Sequence, residues 1–215
     1  MSKKILSIET SSSVCGISVI ENDIVLSNVE DNAPRRHIEN LPKFLKTSLE
    51  KSNKRINQID AIAVSIGPGS FTGLRIGLGF AKGLAFSHSL PIIPVPSLLS
   101  LAFSINKDKP PSGVLHSHSR KIFYQEFDWK NNIPMIRNEP ILDIIDNYIN
   151  NSRIGFHAGC RKFFEKKNSI KEANHSSISV GLLASKNYDQ WIKHKPYNLI
   201  PEYIAPFEIK KREKK

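Results

Sequence analysis

The sequence predicts an α/β protein with a parallel or mixed sheet covered by helices. Residues 61–66 are a short apolar run bounded by turn residues, which is typical of a strand buried on both faces. A Gly-Pro-Gly turn follows directly, and beyond it small residues recur every four positions of a helical segment, at Gly73, Gly77, Ala81 and Ala85. Strands that alternate with helices in this way are typical of the α/β class.

Three short strands precede this segment. They are predicted at residues 4–10, 14–21 and 23–29, separated by the polar connections Ser11-Ser12-Ser13 and Asn22. Because antiparallel neighbours need only short connections, we expect an antiparallel meander.

A helix is predicted over residues 36–50, because apolar residues recur at helical spacing, at Ile38, Leu41, Leu45 and Leu49. Pro42 predicts either a break in this helix or a position in its first turn. A strand at 91–95 and a short helix from Ser97 complete the N-terminal part. The resulting order of elements is that of the ribonuclease-H-like half of actin-type and sugar-kinase-type folds, although unrelated functions share such folds.

A second unit is predicted after the polar, proline-rich segment 106–111, so the expected domains are residues 1–106 and 107–215. Its predicted elements are strands at 113–117 and 121–129, a helix at 139–150, a strand at 154–157 and an amphipathic helix at 179–193 with Ser177 near its cap.

The turn Gly67-Pro68-Gly69 is predicted to be structural, because glycine permits positive φ and proline fixes its own φ. Ser70 or Thr72 would then cap the following helix. Each glycine inside that helix costs about 1 kcal/mol relative to alanine, so close packing must offset it. The neighbour that packs there is either another part of this chain or another protein.

The composition limits the classes of protein to which the chain can belong. The chain has 215 residues and a net charge of +11, which favours nucleic acid or an acidic partner. The charge is concentrated only in residues 210–215, either a frayed end or a contact to phosphates. Cys15 and Cys160 have no metal or redox spacing, and no signal peptide or membrane span is predicted, so a cytoplasmic location is expected.

No catalytic, cofactor-binding or metal-binding residue is predicted. The loop 67–73 lacks the Gly-Lys-Ser/Thr of a phosphate-binding loop, since Leu74 and Arg75 follow Gly73. His37 would need a second histidine four residues later to chelate a metal, but position 41 is leucine. His116 and His118 alternate along a strand without a third ligand.

Three segments resemble the TsaB (YeaZ) family: Ile5-Leu6-Ser7-Ile8-Glu9-Thr10-Ser11, Pro34-Arg35-Arg36-His37, and above all the residues from Gly67 to Gly77. Pro201-Glu202-Tyr203-Ile204 is similar to that family's C-terminal signature. The resemblance implies an actin-like, ribonuclease-H-like (ASKHA) fold of two domains with the second reduced. It also implies a role in making N6-threonylcarbamoyladenosine beside the anticodon of tRNA.

The resemblance further implies a non-catalytic subunit that forms a heterodimer with its catalytic relative TsaD through N-terminal helices. The ATPase TsaE joins the pair, and TsaC supplies the transferred group as an adenylate. The chain contacts tRNA through the complex. A homodimer is expected when TsaD is absent. The spacing on the two helices predicts the partner interface at His37, Leu41, Leu45, Gly73, Gly77, Ala81 and Leu84.

The second unit departs from the family. Relatives carry Asp-Ala-Arg and Glu-Val-Tyr where this chain has residues 116–124, and Ala205 replaces an arginine. Contacts that depend on those groups, including recruitment of the ATPase, are therefore left open. Two other classes remain as alternatives: a stand-alone metal-dependent, glycoprotease-like hydrolase and a sugar-kinase-type ATPase.

Overall fold

The computed structural model describes residues 2–32, 34–165 and 170–204. The basic tail and Ala205 lie outside the described residues. None of the described helices is both long and apolar enough to cross a bilayer.

The first sheet has five strands: β1 Lys4–Glu9, β2 Val14–Glu21, β3 Ile24–Asn32, β4 Ala61–Gly67 and β5 Ile92–Pro96. They lie in the order β3-β2-β1-β4-β5. β1, β2 and β3 pair antiparallel, so the predicted meander is confirmed. β4 and β5 extend the sheet in parallel on the other side of β1, which makes it the mixed sheet expected from sequence.

The described residues form six α-helices beside the strands: α1 His37–Lys51, α2 Phe71–His88, α3 Ser97–Ser104, α4 Arg161–Phe164, α5 Ser177–Lys186 and α6 Tyr188–Trp191. α1 and α2 cover one face of the first sheet, while α3 and α5 cover the other. Side chains of β1 alternate accordingly. Leu6 and Ile8 pack under α1 and α2, and Ile5 packs into the core shared with α3 and α5.

Neither the break nor the first-turn position predicted for Pro42 is correct, because α1 begins at His37 and continues through this residue. Proline removes the donor that the carbonyl of Ile38 would have had in a regular helix. Ile38 is 70% exposed, so its part of the helix faces solvent, where water can replace the lost hydrogen bond.

The second sheet is built from β6 Ser112–His118, β7 Lys121–Lys130, β8 Ile133–Ile136, β9 Ile141–Ile144, β10 Phe156–Ala158 and β11 Lys171–Glu172. Its order is β11-β10-β6-β7-β8, and β9 also pairs with β7. Phe123 and Phe156 of this sheet share a core with Ile5 and Ile93 of the first sheet. The two sheets are therefore joined by one apolar core.

Two predicted helices of this half are wrong in extent or type. Residues 139–150 form β9 and a short 3-10 helix, Ile145–Asn147, because β9 pairs with β7 along Lys121–Tyr124 and the long-range pairing overrides local periodicity. The helix predicted at 179–193 begins earlier and ends at Lys186, with Ser176 rather than Ser177 as its cap. β8 was not predicted.

α5 connects the C-terminal half to the first sheet, since it packs on β1 and β2. Ser177 at its start is completely buried, and its hydroxyl donates to Glu30 Oε1 at 2.7 Å. Ser18 Oγ lies 2.6 Å from the same hydroxyl, and Ser7 Oγ donates to the Ser177 carbonyl at 2.7 Å. The domain boundary after residue 106 remains a prediction, because this helix of the second half is part of the first half's layered structure.

We expect Ser177→Ala to lower the free energy of unfolding by about 1–3 kcal/mol, because it leaves the buried hydrogen-bonding groups of Glu30 and Ser18 without this partner. Urea denaturation measures the change. Ser87→Ala on exposed α2 surface is the matched control and should shift stability by less than about 0.5 kcal/mol. Equal stability of the two variants would contradict the proposed importance of this cluster.

Candidate partner interface and the adjoining cleft

The turn between β4 and α2 brings three segments of the chain together. Gly67 has φ +121°, a value that favours glycine, and a Cβ atom there would lie 2.9 Å from the Glu202 carbonyl oxygen. A Cβ at Gly69 would lie 2.4 Å from the Ser11 carbonyl oxygen. Ser70 is the helix cap, since its hydroxyl accepts a hydrogen bond from the Gly73 backbone N–H at 3.2 Å. The turn therefore requires small residues because other backbone segments approach it closely.

The small residues spaced four apart on α2 face the interior of this chain. A Cβ at Gly73 would lie 2.1 Å from the Thr10 carbonyl oxygen, and one at Gly77 would lie 2.1 Å from Thr10 Oγ1. Ala81 and Ala85 are buried in the same direction. The expectation that Gly73, Gly77 and Ala81 face a partner protein is therefore wrong, because the two glycines accommodate the residue at the end of β1 and Ala81 lies in the core.

Two further residues of the predicted interface are buried as well. His37 opens α1, and its ring Nε2 lies 3.0 Å from the Ser12 carbonyl oxygen and 3.2 Å from that of Val14. Leu41 is in the core under α1 and α2. The placement of His37 and Leu41 on a partner surface is wrong for this reason. Leu45 and Leu84 are partly buried against that core, and their part in an interface remains a prediction.

The outward face of α2 carries two other glycines. A Cβ atom at Gly79 or Gly83 would have no heavy atom of the described residues within 4 Å, so no contact within residues 2–32, 34–165 and 170–204 requires glycine there. Phe86, one turn beyond, is 75% exposed, and Ile38 of α1 is a second exposed apolar side chain on this side of the sheet. We call Gly79, Gly83 and Phe86 the outer α2 face. It combines close backbone access with apolar surface, which suits contact with another protein.

Sequence reasoning missed this face, although the signal was present. Gly79 and Gly83 are also four residues apart, but they lie on the side of the helix opposite to Gly77 and Ala81. A helical projection separates the two rows of small residues. Only the structure shows which row is internal.

A cleft of about 820 Å³ lies beside the start of α2, between the two sheets. Its lining includes the Ser11-Ser12-Ser13 connection, Thr72, His116 and His175. Within the part of the chain that the structure describes, no three His, Cys, Asp or Glu side chains are grouped so as to hold a metal ion. His116 lies at a β-bulge, where the register of β6 and β7 shifts before His118.

A buried polar cluster lies at the inner end of this cleft. Ser11 donates its backbone N–H and its hydroxyl to Glu9 Oε1, the hydroxyl at 2.6 Å, and its Oγ lies 3.0 Å from His175 Nδ1. Glu9 Oε2 and His175 Nε2 are buried and have no hydrogen-bond partner in the described part of the chain. Burial lowers the pKa of His175, and the Glu9 carboxylate opposes this shift. Ser11 and His175 are 164 positions apart in the sequence, so local sequence patterns did not reveal the cluster.

The C-terminal segment follows α2 along its other side. We call residues 193–203 the strap. Its Glu202 N–H donates to the Ile66 carbonyl at 2.8 Å, Lys82 Nζ donates to the Tyr197 carbonyl at 2.9 Å, and Arg75 Nε donates to the Tyr203 hydroxyl at 2.9 Å. The strap therefore covers the Gly67 turn and fixes the flank of α2.

The order of the first sheet, its helices on both faces and the cleft toward a second sheet define the class. This is an α/β protein of the actin-like, ribonuclease-H-like (ASKHA) fold. Two solved structures from Pseudomonas aeruginosa have the same fold. One is described as similar to peptidase YeaZ (TM-score 0.81, 18% identity, 94% of this chain and 100% of that one), and the other as YeaZ (TM-score 0.77, 18% identity, 94% and 99%).

Sequence comparisons point to one tRNA-modification system. A protein-family model described as "TsaD: tRNA N6-adenosine threonylcarbamoyltransferase" matches residues 25–128. The tRNA threonylcarbamoyladenosine biosynthesis protein TsaB of Haemophilus influenzae is 29% identical over 125 residues, which cover 57% of this chain and 52% of that protein. TsaB of Escherichia coli is 36% identical over 99 residues, which cover 46% and 42%.

A tRNA N6-adenosine threonylcarbamoyltransferase of Staphylococcus saprophyticus is 34% identical over 122 residues, covering 49% of this chain and 36% of that protein. The chain thus spans about half, or less, of the length of these curated relatives. The resemblance to the TsaB (YeaZ) family is confirmed by these two TsaB proteins, to which the chain is similar over about half of its length.

The two rows of glycines should respond oppositely to alanine. We expect Gly79→Ala to raise the free energy of unfolding by about 1 kcal/mol, because it gains helix propensity without a clash. Gly77→Ala should lower it by about 1–3 kcal/mol, because the methyl group overlaps Thr10 Oγ1. Thermal and urea denaturation measure both changes. A stabilising Gly77→Ala would contradict the inward packing of this row.

The buried ring of His175 should make stability depend on pH. Its folded-state pKa lies below the unfolded value of about 6.5, so the stability that it contributes is complete above about pH 6.5 and is lost as the pH falls toward the folded pKa. We expect His175→Asn, whose amide can occupy the Nδ1 position, to lose less stability than the parent protein on acidification from about pH 7.5 to 5.5.

Urea denaturation at a series of pH values tests this, with His194→Asn on exposed surface as the control. The His194 variant should keep the parent's pH dependence. Identical pH dependence of the His175 variant and the parent would show that this ring does not titrate differently on folding.

Proposed function

We propose that this chain is a non-catalytic scaffold subunit in the N6-threonylcarbamoyladenosine modification of tRNA beside the anticodon. It acts by forming a heterodimer with the catalytic subunit TsaD in the cytoplasm. The support from similarity is the pair of TsaB relatives and the match to a TsaD family model, which together connect the chain to this modification.

The observation that carries the proposal is the outer α2 face. Gly79 and Gly83 each weaken the helix by about 1 kcal/mol relative to alanine, and among the described residues no atom lies near enough to benefit from the missing side chains. Phe86 leaves a large apolar side chain in water beside them. A partner helix that approaches closely over the glycines and covers the ring accounts for all three residues.

The state of His37 supports a structural role over metal-dependent hydrolysis. Its Nε2 is directed at the backbone oxygens of Ser12 and Val14, so the ring joins the start of α1 to the connection between β1 and β2. A ring that donates its Nε2 proton in this way does not offer that nitrogen to a metal. Leu41, four residues after His37, belongs to the apolar core.

The remaining partners follow from the same proposal. TsaE would join the heterodimer, and a homodimer would form through the outer α2 face when TsaD is absent. TsaD and a second copy of this chain would then compete for one apolar surface.

We expect Gly83→Trp to weaken binding to TsaD at least tenfold without unfolding the chain, because the indole projects from the outer α2 face into space that the partner would occupy. Isothermal titration against purified TsaD measures the affinity, and circular dichroism verifies the fold. Asp128→Trp on β7 places the same side chain on exposed surface of the second sheet and should bind normally.

Unchanged affinity of Gly83→Trp would remove the outer α2 face from the interface. The scaffold role has a separate test, since reconstituted modification of tRNA should require this subunit. A full reaction rate in its absence would overturn the proposed function.

A further inference from the structure

The strap has both inward-facing and outward-facing side chains along α2. Pro196, Leu199 and Pro201 face the protein, where Leu199 packs against the core beneath α1 and α2. Tyr197, Ile200 and Tyr203 face outward and are 63%, 71% and 41% exposed. Large apolar side chains that stay exposed in a row are unusual for a surface that only meets water.

Cations accompany these rings. Lys193, His194 and Lys195 are exposed at the beginning of the strap, and none of them forms an ion pair with an acidic side chain among the described residues. Lys82 adjoins Tyr197, as its bond to the Tyr197 carbonyl shows. Positive charge and aromatic surface therefore occur together along one side of α2.

The far end of the strap carries a stacked group. The Arg75 guanidinium lies 3.8 Å from the centroid of the Phe71 ring and 5.7 Å from that of Tyr203. The two rings have centroids 4.8 Å apart. The guanidinium therefore lies over the Phe71 ring, and the Tyr203 ring packs beside both. Such a group can also receive a nucleobase, because both Arg and aromatic faces stack on bases.

Acidic groups do not cancel this charge. Asp189, which precedes the strap, pairs with Lys3 at 2.8 Å. Glu202 is the one acidic side chain among residues 193–203, against the cations Lys193, Lys195, Lys82 and Arg75, so the strip keeps a net positive charge. Burial raises the pKa of Glu202, and the nearby Glu139 raises it further. The strip contacts α2 at Arg75 and at Lys82, which are about 10 Å apart along the helix axis.

We propose that this strip, formed by the strap and by Arg75 and Lys82 of α2, binds single-stranded RNA directly. Lys193, Lys195 and Lys82 contact phosphates, while Tyr197 and the hydrogen-bonded pair of Arg75 and Tyr203 receive unstacked bases. The strip and the outer α2 face are neighbouring surfaces with different chemistry, one cationic and aromatic and the other small and apolar. The inference does not depend on the proposed partnership with TsaD, because the isolated chain should bind RNA.

The test uses the full chain and a fluorescein-labelled, mixed-sequence RNA of about 12 nucleotides, followed by fluorescence anisotropy at several salt concentrations. Lys193→Glu/Lys195→Glu should weaken binding at least tenfold and reduce the slope of log affinity against log salt by about 1.4, since each phosphate contact on a single strand contributes about 0.7. The matched control, Lys43→Glu/Lys46→Glu on exposed α1, changes net charge equally and should weaken binding less than about twofold.

A second variant tests stacking independently of charge. Tyr197→Ala removes an exposed ring whose side chain makes no hydrogen bond among the described residues, so the fold is preserved. It should weaken binding about tenfold with an unchanged salt slope. The same RNA annealed to its complement should bind more weakly, because its bases are already stacked.

Three results would overturn the proposal. Equal losses of RNA affinity in the two double-lysine variants would mean that only the overall charge of the protein matters. Equal affinity for single-stranded and duplex RNA, unaffected by Tyr197→Ala, would exclude base stacking. Loss of TsaD binding or of self-association in the strap variants, with RNA binding intact, would identify the strip as a protein interface instead. Since Gly83→Trp tests TsaD binding on a different face, failure of either proposal can be distinguished from failure of the other.

Discussion

The close approach of α2 to the end of β1 is the constraint on which the rest of the structure depends. Thr10 contributes its carbonyl oxygen beside Gly73 and its hydroxyl beside Gly77, and that hydroxyl donates to the Gly73 carbonyl at 2.9 Å. Side chains larger than hydrogen at those two positions would push the helix away from the sheet. The position of α2 in turn fixes the turn before it, the flank that the strap covers and the face that remains outside.

The same approach explains why one helix can serve two purposes. Its inner row of small residues is used by this chain, so its outer row is available without any loss of internal packing. A helix has enough faces for a core, a partner and a covering segment, provided that residues on each face recur at helical spacing. The proposed TsaD contact and the proposed RNA strip occupy the two faces that the core leaves exposed.

Hydrogen bonds join the second half of the chain to the first half at two places. α5 carries the buried Ser177 into contact with Glu30, and His175, two residues earlier, reaches Ser11 at the inner end of the cleft. Both contacts join residues more than 140 positions apart in sequence. The cleft is therefore bordered by a polar connection between the halves and is not a gap between independent units.

The sequence by itself determined the local elements of the first sheet, the turn at Gly67 and the helix after it, because periodicity, proline and glycine act over a few residues. It also carried the motifs that relate the chain to the TsaB (YeaZ) family. Only the tertiary structure decided that β9 is a strand, that α5 returns to the first sheet, and that Gly77 faces inward while Gly83 faces outward. Those outcomes depend on which distant segment lies beside each residue, and local patterns contain no information about a neighbour 60 or 160 positions away.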